Sequence, residues 1–260
     1  MKEFFGFGGY ERSAEGYFSW QHLLFVSLLL LTMTALAIYF GIKNRNRSAE
    51  EKNKVLVVAA ILIDAFEIFK ITVFCLRGGD LSAILYNLPL FLCSIQLITI
   101  PLAAFSRGRL KDASLDFVFI FGLLGAVLGT VFAGNNYAAY PVLSIDNVVS
   151  GITHCISGFT ALYISISKSV SMKKSNIKFT LLIMLSFCIA AYITNRLSPC
   201  NYMFLMRGDG TPYDILFNLV AGNPIIYPIL VVVLFFVYIA AFYFVFFCIC
   251  KSAKRNQVDK

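Results

Sequence analysis

The sequence predicts an all-α, polytopic transmembrane helical bundle, on three observations. First, the 260 residues are 59% hydrophobic and only 14% charged, against about 25% charged in soluble domains. Second, several apolar runs reach the roughly 20 residues needed to cross a bilayer as helix. Third, these runs are long and continuous, unlike the short alternating segments of an outer-membrane barrel. The expectation is one integral membrane domain over residues 1–260, with seven spans near 20–41, 55–76, 84–105, 114–133, 147–167, 178–197 and 224–250.

The first run differs from a signal peptide because its basic cluster, KNRNR, follows the apolar stretch. Trp20, Tyr17 and Phe18 fit an interfacial anchor at its start, with His22 one turn away in the same zone. In the third run, Pro89 and Pro101 should bend the helix or open its hydrogen bonding. The fourth run carries Gly122, Gly125 and Gly129, and the last two have the GxxxG spacing that permits close helix contact. The long connection 198–223 mixes apolar residues with turn signals such as Asp209-Gly210, and its RGD triplet reads as turn chemistry.

Charge sets the expected orientation. The segments 43–54, 107–111, 168–178 and the tail from 251 hold 16 of the 22 Lys and Arg residues. Basic loops stay on the cytoplasmic side, so the N-terminus is expected outside and the C-terminus inside, in the cell membrane. The net charge of +8 needs no nucleic-acid partner, because no basic stripe with interleaved aromatics accompanies it. Most of the seven cysteines lie in apolar segments, where cysteine behaves as a small hydrophobe. Cys75 and Cys200 both fall near the predicted outer face. A bridge there depends on a Cα separation that sequence does not supply.

The second run carries the most informative residues. Asp64, Glu67 and Lys70 are spaced three apart within it, and ionisable residues in hydrocarbon face a bundle interior or a wet cavity. Helical rise places Lys70 about 9 Å from the outer end, Glu67 about 14 Å, His154 about 10 Å and Cys93 about 14 Å. Gln96 lies one turn from Cys93 on the same side of its helix. These depths imply a polar pocket opening outward, with Asp64, Lys70, Gln96 and Asn201 as candidate lining residues. Glu67 and Lys70 can pair at their i, i+3 spacing. The inner half shows few comparable groups. A purely structural reading also stands, in which the polar row joins helices. No metal is expected, because no second intramembrane histidine or carboxylate–histidine motif accompanies His154. No cofactor is expected either: the glycines of the fourth run lie mid-helix and form no phosphate-cradling loop.

The stretches LPLFLCSIQLITIPLAAF (88–105), FVFIFGLLGAVLGTVFAGNN (117–136), SGITHCISGFTALYI (150–164) and NYMFLMRGDGTPYDIL (201–216) resemble the YwaF-like bacterial integral membrane proteins. The resemblance runs over nearly the whole chain. It extends remotely to a eukaryotic transmembrane acyltransferase that moves fatty acyl chains between phospholipids, using an intramembrane cysteine and histidine. That likeness implies His154 as the matching histidine. The relative's Pro-Cys-His order would place its cysteine at Leu90 and its first histidine at Phe91, so this chain lacks both groups there. Cys93, one helical turn from Pro89, is the thiol that remains.

The resulting expectation is a lipid-directed acyl transfer or hydrolysis, with membrane lipids as partners. Acyl transfer needs a nucleophile, a base and an orienting group. Cys93, His154 and Glu67 are the candidate catalytic residues, or His154 acts directly on a hydroxyl as general base. Two alternatives stay open. One is a proton-coupled small-molecule transporter, since buried Asp, Glu, Lys and His serve proton relays. The other is a noncatalytic module that binds lipid or protein. Against transport, the sequence halves show no repeat.

Overall fold

The apolar runs fold as helices in the computed structural model, which describes residues 2–170 and 172–258, with side chains through Lys251. The order is α1 (Lys2–Phe5), α2 (Trp20–Asn44), α3 (Ala49–Gly78), α4 (Ser82–Tyr86), α5 (Gln96–Phe105), α6 (Gly108–Thr130), α7 (Gly134–Ala139), α8 (Ile145–Ile166), α9 (Ile177–Leu197), α10 (Asp214–Leu219) and α11 (Ile226–Val258). No strand occurs among the described residues.

Local chemistry sets several ends. Ser48 and Glu51 close a capping box that starts α3, and Gly79, at φ 76°, ends it in the left-handed region. Ser19 and Ser144 accept backbone N–H groups at the starts of α2 and α8.

Five helical segments among the described residues are long and apolar enough to cross a membrane: Trp20–Asn44, Gly108–Ala139, Ile145–Ile166, Lys174–Leu197 and Ile226–Lys251. The protein is therefore a multi-pass membrane protein, and five rather than seven crossings follow from length and apolarity. The two remaining expected spans differ for distinct reasons. Helix α3 has 30 residues but carries Asp64, Glu67 and Lys70 in its apolar stretch.

The expected span 84–105 is not one helix. It is broken into α4, a non-helical stretch over 87–95, and the ten-residue α5. Pro89 has no N–H and obstructs a preceding helical turn, and Leu88 is pushed toward extended backbone. Pro101, by contrast, is accommodated inside α5. The freed backbone groups are satisfied from across the fold. Tyr202 Oη donates to the Leu85 carbonyl and accepts from Leu88 N–H at 3.1 Å. Non-helical backbone at membrane depth persists only where protein satisfies it or a cavity is lined.

Helices α6 and α8 are the centre and the most buried of the five candidate crossings. Small residues let them meet: a Cβ at Gly122 would lie 2.9 Å from the Ser157 carbonyl oxygen. Ser157 Oγ donates to the Gly122 carbonyl at 3.3 Å. On one side, α3, α5, α6 and α8 share a core that includes Ile63, Ile100, Val118 and Tyr163. On the other, α6, α9 and α11 enclose Phe117, Phe121, Met184 and Tyr243 together with Tyr202 and Met203 of the long loop.

The end of the bundle that carries the basic loops holds more polar structure than the sequence suggested. Asp116 is fully buried and accepts from Met172 N–H at 2.9 Å, Asn176 Nδ2 at 2.7 Å and Tyr243 Oη at 2.8 Å. This cluster ties α6 to α11 and to the turn before α9. His22, at the start of α2, packs against protein. It is fully buried, its Nδ1 accepts from Phe18 N–H at 3.2 Å, and its ring lies 4.0 Å from that of Tyr137. The Cys75 and Cys200 thiols are both free, so no bridge joins them.

Candidate functional site

Three glycines one turn apart on α6 receive different neighbours. Gly122 receives α8 itself, as above. At Gly125, an added Cβ would meet Cys93 at 3.6 Å. At Gly129, it would fall 1.4 Å from His154 Cδ2 and 1.8 Å from Nε2, inside the imidazole. The His154 ring therefore occupies a notch that only a glycine leaves open. Cys93 and His154 sit against the same α6 wall, at positions about 6 Å apart along its axis.

Cys93 also lines a cavity of about 260 Å³ between the 87–95 break, α6, α11 and the long loop. Its walls include Phe91, Phe121, Leu128, Gly129 and Tyr213. Phe91 takes part in an aromatic group, with its ring 4.8 Å from Tyr202 and 6.2 Å from Phe204. The cavity is thus apolar, with a thiol in one wall and Gly129, the seat of His154, in the same lining.

The charged row of α3 lies outside the lining of that cavity. Lys70 Nζ lies 2.8 Å from Glu67 Oε1, with side chains 12% and 11% exposed. That burial makes the pair a buried ion pair, and its cost must be offset by close geometry. Lys70 is near enough to act electrostatically on both Cys93 and His154, and Glu67 on Cys93. Among the described residues, Glu67 pairs with Lys70 and not with His154. Asp64 is half-buried on the same helix and makes no hydrogen bond or ion pair among the described residues. The His154 ring likewise makes no hydrogen bond among the described residues.

Gln96 begins α5 and is fully buried. Its Oε1 accepts from Thr99 Oγ1 at 3.0 Å, while its Nε2 has no partner among the described residues. Asn201 serves a different place. Its Nδ2 donates to the Arg207 carbonyl and to Asp209 Oδ2, and its Oδ1 accepts from Met206 N–H at 2.9 Å. Arg207 Nε bonds Asp209 at 2.6 Å in the same turn, so the RGD triplet is an internal turn element. No cluster of three or more His, Cys, Asp or Glu residues able to hold a metal occurs among the described residues.

Sequence reasoning missed Asn195 and Tyr202. Asn195 Nδ2 donates to the Tyr202 carbonyl at 3.0 Å, and Tyr202 N–H donates to Asn195 Oδ1 at 2.7 Å. Asn195 thus fixes the ring that satisfies the break beside Cys93. No local signal marks this, since Tyr202 and Leu88 lie 114 residues apart.

It also missed how residues 2–19 cover the C-terminal end of α3 and the N-terminal end of α8. Arg77 grips Asp146 through two bonds of 2.9 Å, and Tyr10 Oη donates to Asp146 Oδ2 at 2.5 Å. Glu15 accepts from Val142 N–H at 2.7 Å. Burial, and then the Asp146 carboxylate that takes its hydrogen bond, push the Tyr10 phenol up to about 12. A group raised in the folded state stabilises below its ordinary value near 10 and loses that contribution as pH rises through about 12. Limited proteolysis at residues 2–19 should therefore accelerate between pH 10 and 12, and Tyr10→Phe should remove that pH step. An unchanged step in Tyr10→Phe would assign the release to another group.

No curated protein and no solved structure matches this chain. The family model described as the TMEM164 family matches residues 17–246, which contain the α6 glycines, Cys93, His154, the α3 row and the long loop. The chain belongs to the TMEM164 family.

Proposed function

We propose that this multi-pass membrane protein transfers acyl chains of membrane lipids. The observation that carries the reading is the apolar cavity of about 260 Å³ with Cys93 and Gly129 in its wall, and the His154 ring packed against Gly129. An apolar cavity suits a hydrocarbon chain, with few polar groups to fix its reactive end. The remote acyltransferase resemblance supports the histidine half of this chemistry, through His154 in the 150–164 stretch, while Cys93 rests on its place in the cavity wall.

In this reading His154 takes the Cys93 proton. The thiolate attacks the ester carbonyl, the ester C–O bond breaks, and the lysolipid leaves with the proton from His154. The acyl group then passes from sulfur to a second lipid hydroxyl, which His154 deprotonates, and the thiol is restored. Lys70 and Glu67 set the local field, and Gln96 Nε2 is an unused donor near the start of α5. The full topology belongs to this reading as well. Helix α3 and the broken α4–α5 segment count as the sixth and seventh crossings, with the N-terminus outside, the basic loops inside, and the cell membrane as location.

The test is to incubate wild type, His154→Ala and Cys93→Ala with phospholipids carrying isotope-labelled acyl chains, and to follow lipids and protein by mass spectrometry. Label should move between lipids in the wild type, cease in His154→Ala, and appear on Cys93 when the acceptor is withheld. Unchanged transfer in both variants, or none by folded wild type, would refute the reading.

A further inference from the structure

A second concavity lies on the opposite face of α8 from the α6 contact. Helices α2 and α3 splay apart over α8 and leave an open groove of about 790 Å³, roughly three times the Cys93 cavity. Its walls include Leu29, Met33 and Leu36 of α2 and Val58 of α3, and its floor includes Cys155 and Phe159 of α8. His154, one residue before Cys155, faces Gly129 instead. The groove therefore does not share the proposed catalytic surface.

Lys54 is the single charged residue among those that line the groove. It sits in the first turns of α3, at the basic end of the bundle, in the segment 43–54 with its five Lys and Arg residues. It is exposed and makes no ion pair among the described residues. From Phe40, near this end, the α2 wall runs to Phe25, about 22 Å along the helix. One leaflet contributes only about 15 Å of hydrocarbon. The groove is thus long enough for a full acyl chain, apolar along that length, and carries a free cation where a lipid phosphate would lie.

A second lipid-facing groove offers an internal comparison. Between α9 and α11, about 450 Å³ is lined by residues such as Leu185, Ile189, Ile229 and Val233, with no charged group. An annular lipid shell would treat the two grooves alike. A phosphate-reading site would not.

We infer that the α2–α3–α8 groove is a binding site for a phospholipid of the leaflet at the basic end, with its phosphate on Lys54 and one acyl chain along α8. The inference does not depend on acyl transfer. It rests on charge complementarity at a lipid surface, where one basic side chain contributes about a fivefold preference for anionic headgroups.

The experiment uses the full chain in phosphatidylcholine nanodiscs that contain a phosphatidylglycerol with a photoreactive diazirine near the chain end. Labelled peptides are located by mass spectrometry after illumination. Label should concentrate on 25–36 and 152–159 relative to 185–193 and 225–236. Val58→Trp places bulk in the groove at an exposed position, and should abolish that excess. Lys54→Glu removes that cation and adds an opposing charge, so it should lower the excess at least fivefold, while label on α9 and α11 stays constant as proof of folding and insertion. Equal labelling of both grooves, or an excess indifferent to Val58→Trp, would overturn the site. An excess that survives Lys54→Glu would overturn the headgroup assignment.

Discussion

Gly129→Ala should cost the protein both stability and, on the reading above, its acyl transfer. The new methyl would stand 1.4 Å from His154 Cδ2, so the ring must leave its notch or α6 must move from α8. Overpacking of this kind costs about 1–3 kcal/mol. Loss of a positioned general base costs about 100-fold or more in rate. The decisive comparison is the double variant Gly129→Ala/His154→Ala. It frees the space the methyl needs, so unfolding temperature in detergent should recover while transfer stays absent. Gly129→Ala with wild-type stability and transfer would mean that the ring does not occupy the notch. A double variant no more stable than Gly129→Ala would mean that α6–α8 contact, not the imidazole, makes glycine necessary.

Lys70→Met is expected to be the most damaging single change on α3. It leaves Glu67 buried without its cation, and breaking a buried pair from one side costs about 3–5 kcal/mol. Glu67→Gln/Lys70→Met removes both charges and keeps much of the volume, so stability should return to near wild type. Thermal unfolding of the two singles and the double in one detergent closes the cycle. A double as unstable as Lys70→Met would show that the pair does more than satisfy itself. If transfer is also lost in the stable double, the field of the pair at Cys93 and His154 is what the reaction needs. If transfer persists there, the pair is structural.

Both predictions show where sequence was legible. The Glu67–Lys70 pairing followed from i, i+3 spacing, because helical geometry decides neighbours three residues apart. The Gly125–Gly129 spacing announced a close approach but not what approaches. Gly125 receives Cys93 of the broken third segment and Gly129 receives an imidazole from α8, and neither partner is local. The prolines at 89 and 101 marked the third segment as irregular. Only Pro89 breaks it, because Tyr202 and Asn195 supply the hydrogen bonds that let the backbone stay open there. The buried cluster around Asp116 was missed for a related reason. Its partners Met172, Asn176 and Tyr243 come from two other parts of the chain, and nothing near Asp116 marks their convergence.

Apolarity, run length and charge along the chain determined by themselves that this is an all-helical multi-pass membrane protein with an ionisable row in its second apolar segment. Those properties act through the transfer of single helices to hydrocarbon, which each segment's own composition decides. Tertiary structure alone decided that the third segment is broken, that His154 sits in a glycine notch beside a cavity holding Cys93, and that Lys54 opens onto a groove on the far face of α8. Each of these depends on side chains from segments far apart in sequence meeting at one place, and only the packing of whole helices brings them together.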